Sequence, residues 1–202
     1  MKKQMLDENL MKISELADRT VMDPAIASIL LCYLLYRIEQ PVEEDLLYDI
    51  CVTGNIINFF AYRESIAQLI KNHSIKAETN ENHDTVYTVT EAGVDYAQKL
   101  RNIAQKSYRD QLVTRVKLAL RKKQNQKDAT ITYEPLERGC HLHVVLKDRD
   151  TTLLDLRVFT PDRETAEQLG ERILVNPSVL YHDVLQAVLT EHEPPAIDLS
   201  DN

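Results

Sequence analysis

The sequence predicts an α+β chain in two parts, and three observations carry that expectation. The stretch SIKAETNENHDTVYTVT, residues 74–90, spells a β-hairpin: two alternating runs around the polar tip Asn80, Glu81, Asn82, His83 and Asp84. Residues 129–136, 140–147 and 151–159 alternate again, with turns at Glu137-Arg138-Gly139 and Asp148-Arg149-Asp150, as an antiparallel meander does. Between and around these runs the apolar residues recur at spacings of three and four, the period of a helix with one buried side.

At 202 residues the chain is long enough to bury one large or two small cores. Its 24 basic and 32 acidic residues leave a formal charge of −8, so attraction to phosphate is not a property of the whole molecule and any nucleic-acid surface must be local. Three cysteines, Cys32, Cys51 and Cys140, with no signal-peptide pattern ahead of them, are expected to be free core thiols in a reducing cytoplasm. The longest apolar run, Ile29 to Tyr36, is far shorter than the roughly 20 residues that cross a bilayer, so no membrane partner is expected.

Taken in order, residues 5–22 place Met5, Leu6, Leu10, Ile13, Leu16 and Ala17 on one helical side, which predicts an amphipathic extension over residues 1–22. Asp23-Pro24 reads as a helix start, and the helix that follows to about Ile38 is apolar almost all round and should be central. After Gln40-Pro41 the acidic Glu43, Glu44 and Asp45 complement the dipole of a second helix, expected to run to about Thr53 and to end at Gly54-Asn55. The same triplet invites a metal reading, but no histidine stands near it to complete a ligand set.

A third helix is expected from Asn58 to His73, with Phe59, Tyr62, Ile66, Leu69 and Ile70 on its core side and Phe60, Ala61, Glu64, Gln68, Lys71 and Asn72 opposite. The hairpin follows, and Thr90-Glu91-Ala92-Gly93 leads into a fourth helix, to about Ala104. Helix, helix, helix, two-stranded ribbon and closing helix are the order of a winged helix-turn-helix domain, in which the third helix is offered to the major groove. The N-terminal domain is therefore set at residues 23–104.

From Gln105 the pattern restarts. A fifth helix over about 107–127 carries Leu112, Val113, Val116, Ala119 and Leu120 on one stripe, then comes the meander. Thr160-Pro161-Asp162 opens a helix to about Val175, and Asn176-Pro177 stops it and starts another whose face is Leu180, Val184, Leu185, Val188 and Leu189. This gives a small C-terminal α/β domain at residues 105–191, three strands and two helices behind a basic helix, and a loose tail at 192–202.

Charge is unevenly spread. Residues 1–104 hold 10 basic and 16 acidic side chains, net −6, whereas residues 99–127 hold ten cations against Asp110 alone, net +9. Phosphate contacts supply most sequence-independent affinity for DNA, so Arg115, Arg121, Lys122 and Lys123 are the candidate backbone contacts. On the third helix the candidates are Phe60, Arg63, Glu64, Gln68 and Lys71: Gln68 is shaped to bond adenine in bidentate fashion, Lys71 can meet a phosphate, and Glu64 can accept from cytosine. The plain alternative for each is a solvated, ion-paired helix. Cys140-His141-Leu142-His143 resembles a metal cluster until strand alternation sends Cys140 to one face and both histidines to the other, which leaves too few ligands for zinc. No phosphate loop, nucleophile elbow or acid/base pair is spelled out, so the expected class is neither an enzyme nor a cofactor protein.

The segments DPAIASILLCYLLYRIEQPV, NIINFFAYRESIAQLIKNHSI, YTVTEAGVDYA, LLDLRVFTPDRETAEQL and VLYHDVLQAVL together resemble a Gram-positive (Firmicute) bacterial family catalogued as a domain of unknown function, over about Asp23 to Leu189. The resemblance implies an N-terminal winged helix, a C-terminal α/β part and a regulatory role, with the first 22 residues an extension on the usual start. It places Tyr62, Arg63, Glu64 and Gln68 on the third helix and assigns them no function. Two classes of function stay open: a homodimeric regulator bound to double-stranded DNA, and an acidic homodimeric protein-interaction module that uses the winged helix as a scaffold for an unidentified protein partner.

Overall fold

The computed structural model describes residues 20–190, so the expected N-terminal helix over 5–22, apart from its last three residues, and the tail from 192 lie outside the described residues. Among the described residues are seven α-helices and two three-stranded antiparallel sheets, a mixed α+β fold. They form two compact units, one ending at Ala119 and the other beginning at Leu120.

In the first unit, residues 20–22 are extended rather than helical. Val21 bridges Ile57 in parallel, its N–H donating to the Ile56 carbonyl at 2.9 Å and its own carbonyl accepting from Asn58 at 2.9 Å. Helix α1 (Pro24–Ile38) starts as the sequence demands: Asp23 caps it by accepting from the Ala25 N–H at 2.8 Å, and Pro24 takes the position that needs no donor. Ten of its residues are buried, because the helix lies between two others and has no wet side to keep polar. Glu39, in a left-handed conformation at φ 59°, ends it.

Strand β1 (Val42–Glu43) is absent from the sequence reading and is only two residues long. It pairs with a strand more than forty residues downstream, Val42 against Tyr87 and Glu43 against Val86. Helix α2 (Glu44–Tyr48) follows and widens into a π-helical turn over Asp49–Thr53, where a regular helix was expected. Helix α3 (Phe59–Lys71) is capped by Asn58, whose side chain accepts from the Phe60 N–H at 2.9 Å. The ribbon is β2 (Ile75–Thr79) with β3 (Thr85–Val89), registered Ile75 to Val89 and Thr79 to Thr85, and the sheet order is β1-β3-β2. Helix α4 (Glu91–Leu100) closes on α1, capped by Thr90. Turns fill 101–103, so α4 stops short of the expected Ala104.

Helix α5 (Lys106–Asn125) runs from the first unit into the second. The second unit is β4 (Ala129–Pro135), β5 (Cys140–Asp148) and β6 (Thr151–Thr160) in the order of the chain, a meander as expected. A bulge between Leu146 and Lys147 interrupts the β5–β6 register opposite Leu153. Helix α6 (Arg163–Val175) covers β4 and β5, and Asp162 caps it by accepting from Thr165 at 2.7 Å. The core here is Ala129, Cys140, Leu142, Val144, Leu146, Ala166 and Leu174. Helix α7 (Pro177–Leu189) brings Leu180 and Tyr181 to that cluster, while Leu185, Val188 and Leu189 are exposed.

Candidate functional site

Two expectations about the phase of α3 need correction. Its buried side is Ala61, Tyr62, Ser65, Ile66 and Leu69, so Ala61, expected outside, is inside, and Phe59 and Ile70, expected in the core, are 43% and 38% exposed. The reason is close approach to α1: small Ala61 and Ser65 let the helices near each other, and the Ser65 hydroxyl donates to the Pro24 carbonyl at 2.8 Å. Tyr62 fills the remaining space, edge-on to Tyr48 with ring centres 5.7 Å apart. Burial pushes the Tyr62 phenol upward, so it stays neutral. Tyr87 is held up to about 12, by burial first and then by the charge and hydrogen bond of Glu44.

That anchoring fixes which side chains face water. Phe60 is 77% exposed, and Arg63, Glu64, Gln68 and Lys71 are exposed with it, at helical spacings that put them along a single side. Arg63 and Gln68 have local partners. The Arg63 guanidinium reaches Glu44 at 3.5 Å, and the Gln68 amide donates to Glu64 at 3.1 Å. Both pairs are exposed, so each is worth no more than about 1 kcal/mol and yields to a stronger partner. Gln68 also lines a cleft of about 430 Å³ together with Ser28, Asn72, Asp95 and Lys99.

The hairpin tip behind α3 is tied to itself. Asn80 Oδ1 accepts from the N–H groups of Asn82 and Asp84, both at 2.9 Å, and its amide donates to Asp84 at 3.3 Å. Glu81 and Asp84 are exposed there, so the tip presents negative charge.

On α5 the candidate cations divide between the units. Arg115 belongs to the first, donating to the Gly54 carbonyl at 3.2 Å. A Cβ at Gly54 would collide with the Ile50 backbone carbonyl, which cannot swing aside as the Arg115 side chain can, and that is why glycine suits the turn. Arg121, Lys122 and Lys123 belong to the second. Arg121 donates to the Asn176 side chain at 3.3 Å, and Lys122 pairs with Glu171. Arg115 and Arg121 thus rest on neutral oxygens, whereas Lys122 meets a carboxylate. Arg109, which nothing in the charge pattern marks out from its neighbours, is half-buried over the Tyr33 ring at 5.1 Å.

In the second unit Cys140 faces the core, while His141 and His143 lie on the open face of the sheet, where His143 meets Asp155 at 2.7 Å. A cleft of about 250 Å³ opens between the sheet and α7, lined by Asn125, Lys147, Leu153 and Tyr181 among others. Among the described residues no helix is long and apolar enough to cross a membrane.

The chain belongs to the family described as Domain of unknown function (DUF4364), whose model matches residues 27–188. No curated protein and no solved structure matches it.

Proposed function

We propose that residues 23–104 are a winged helix-turn-helix module that binds double-stranded DNA as a transcription regulator does, with α3 in the major groove and the β2–β3 ribbon as the wing. The observation that supports this most is the clear outer side of α3, where Phe60, Arg63, Glu64, Gln68 and Lys71 stand in water on a helix held firmly from behind. A helix of 13 residues is about 20 Å long, and the major groove admits it. Gln68 exchanges Glu64 for an adenine edge, Glu64 accepts from a cytosine amine, Phe60 lies against a thymine methyl, and Arg63 and Lys71 reach phosphates. On α5, Arg115, Arg121, Lys122 and Lys123 supply further positive charge to the backbone, the exposed Lys122–Glu171 pair giving way to phosphate.

A second reading has a specific observation in its favour. The acidic hairpin tip is unsuited to phosphate, and the Arg63–Glu44 pair already neutralises a cation that DNA would need. A winged-helix scaffold that docks a basic protein partner accounts for both.

Titration of a fluorescent duplex at several salt concentrations separates the two. The wild-type chain is expected to bind, with affinity falling as salt rises. The Arg121→Ala/Lys122→Ala/Lys123→Ala variant should weaken binding and reduce the logarithmic salt slope by up to about 0.9 for each phosphate left without its cation. An unchanged slope would remove α5 from the interface, and no binding at about 50 mM salt would favour the protein-docking reading.

A further inference from the structure

Strand β6 is an edge strand. In the order β4-β5-β6 one of its sides pairs with β5, and among the described residues no strand occupies the other. A ten-residue edge with free N–H and C=O groups is a template for another strand, and the bulge at Leu153 limits the regular stretch to the residues after it. Leu154, Leu156 and Val158 alternate on the helix-covered side and are only half-buried, because α6 lies mainly over β4 and β5. Asp155 and Arg157 alternate on the open side, with side chains 64% and 54% exposed.

This order of residues is complementary to itself. If two copies of β6 run antiparallel about a two-fold axis through Leu156, each Asp155 stands directly opposite the other copy's Arg157. On the covered side Leu154 then meets Val158, and Leu156 meets its own counterpart. Shifting the axis to Asp155 or to Arg157 sets like charges against each other, and shifting it by half a residue, to midway between Leu156 and Arg157, sets Leu156 against arginine. Opposite charges therefore select one register out of those the edge offers. Asp155 is already in contact with His143, and Arg157 reaches Glu134 at 3.5 Å, so the new pairs would extend an existing row of charges across the seam.

We propose that β6 pairs with β6 of a second copy of this chain, joining two three-stranded sheets into one of six strands with Leu156 on the two-fold axis. The proposal goes beyond the DNA reading and does not rest on it.

Paired charge reversal tests it on the full chain. In sedimentation at roughly 50 μM, a concentration suited to an interface of modest area, the wild type is expected to be a dimer. Asp155→Arg alone sets cations against cations twice, and Arg157→Asp alone sets anions against anions twice. Each should raise the dimer dissociation constant about tenfold or more. An equimolar mixture of the two variants should recover the dimer, because every opposed pair is then of opposite sign. A monomeric wild type, variants that dimerise as well as wild type, or a mixture that stays monomeric would overturn the proposal. Should either reversal disturb the fold in circular dichroism, L156C decides instead. It is expected to give a covalent dimer on mild oxidation where T152C gives none, and failure to cross-link would count against the two-fold at Leu156.

Discussion

Gly93→Ala is expected to destabilise the first unit by roughly 3 kcal/mol, although it adds a single methyl group to a helix and alanine is the better helix former. Gly93 sits in the first turn of α4, buried against the turn that joins α3 to β2. A Cβ there would collide with the Ser74 carbonyl and stand 2.7 Å from Val89 Cγ2. Neither neighbour can move freely. Ser74 O also accepts from the Thr90 N–H at 3.0 Å and the Thr90 hydroxyl at 3.1 Å, and that hydroxyl donates to the His73 carbonyl at 2.7 Å as well. To make room, α4 must lift from the ribbon and break this junction. Urea unfolding should show the loss, whereas Ala92→Gly, one residue earlier on the exposed side, should cost no more than about 1 kcal/mol. Equal effects from the two would mean that the α4 junction is looser than its hydrogen bonds imply.

Leu142→Ala should have a comparable effect on the second unit. Leu142 lies on the central strand, 1% exposed, among Cys140, Val144, Ala166 and Leu174. Truncating a leucine of this kind costs about 2–5 kcal/mol, because the transfer energy of the lost carbons is joined by that of the cavity left behind. A unit beginning at Leu120 is small, so its melting temperature should fall by roughly 10 °C or more in calorimetry. Val145→Ala, on the open face of the same strand, should change it by only a few degrees. A small effect at Leu142 would show that the sheet does not rely on the layer beneath α6.

The contrast between Leu142 and Val145 is legible in the alternation of the chain, as are most of the elements. Caps make the helix starts readable: Asp23, Asn58, Thr90 and Asp162 each accept from a backbone N–H of the first turn, and each is a side chain whose oxygen competes well for that role. Strand β1 is not legible. Two residues carry no period, and what makes Val42 and Glu43 a strand is the distant edge of β3, a tertiary cause. Bulk hydrophobicity sends Phe59 and Ile70 of α3 inward. The helix is seated instead by its small residues against α1, a preference that size at a contact decides and hydrophobicity does not.

The outer side of α3 is legible for a simpler reason, since Arg63, Glu64, Gln68 and Lys71 could not all be buried without partners. What stays hidden is their engagement with one another and with Glu44, because Glu44 on α2 and Arg63 on α3 lie nineteen positions apart and no local rule joins them. The same holds on α5. Its charge is plain in the sequence, but Gly54, Asn176 and Glu171 are reached only through the fold.

Selection from a pool of random duplexes at about 50 mM salt addresses the role of α3 most directly, with the retained DNA sequenced for the wild type and for Gln68→Ala. A recurrent motif that contains adenine is expected, and that position alone should relax in the variant by roughly tenfold, the lower end of what one bidentate amide contact contributes. Retention of no duplex by the wild type, or a motif that Gln68→Ala leaves untouched, would contradict the placement of α3 in the groove.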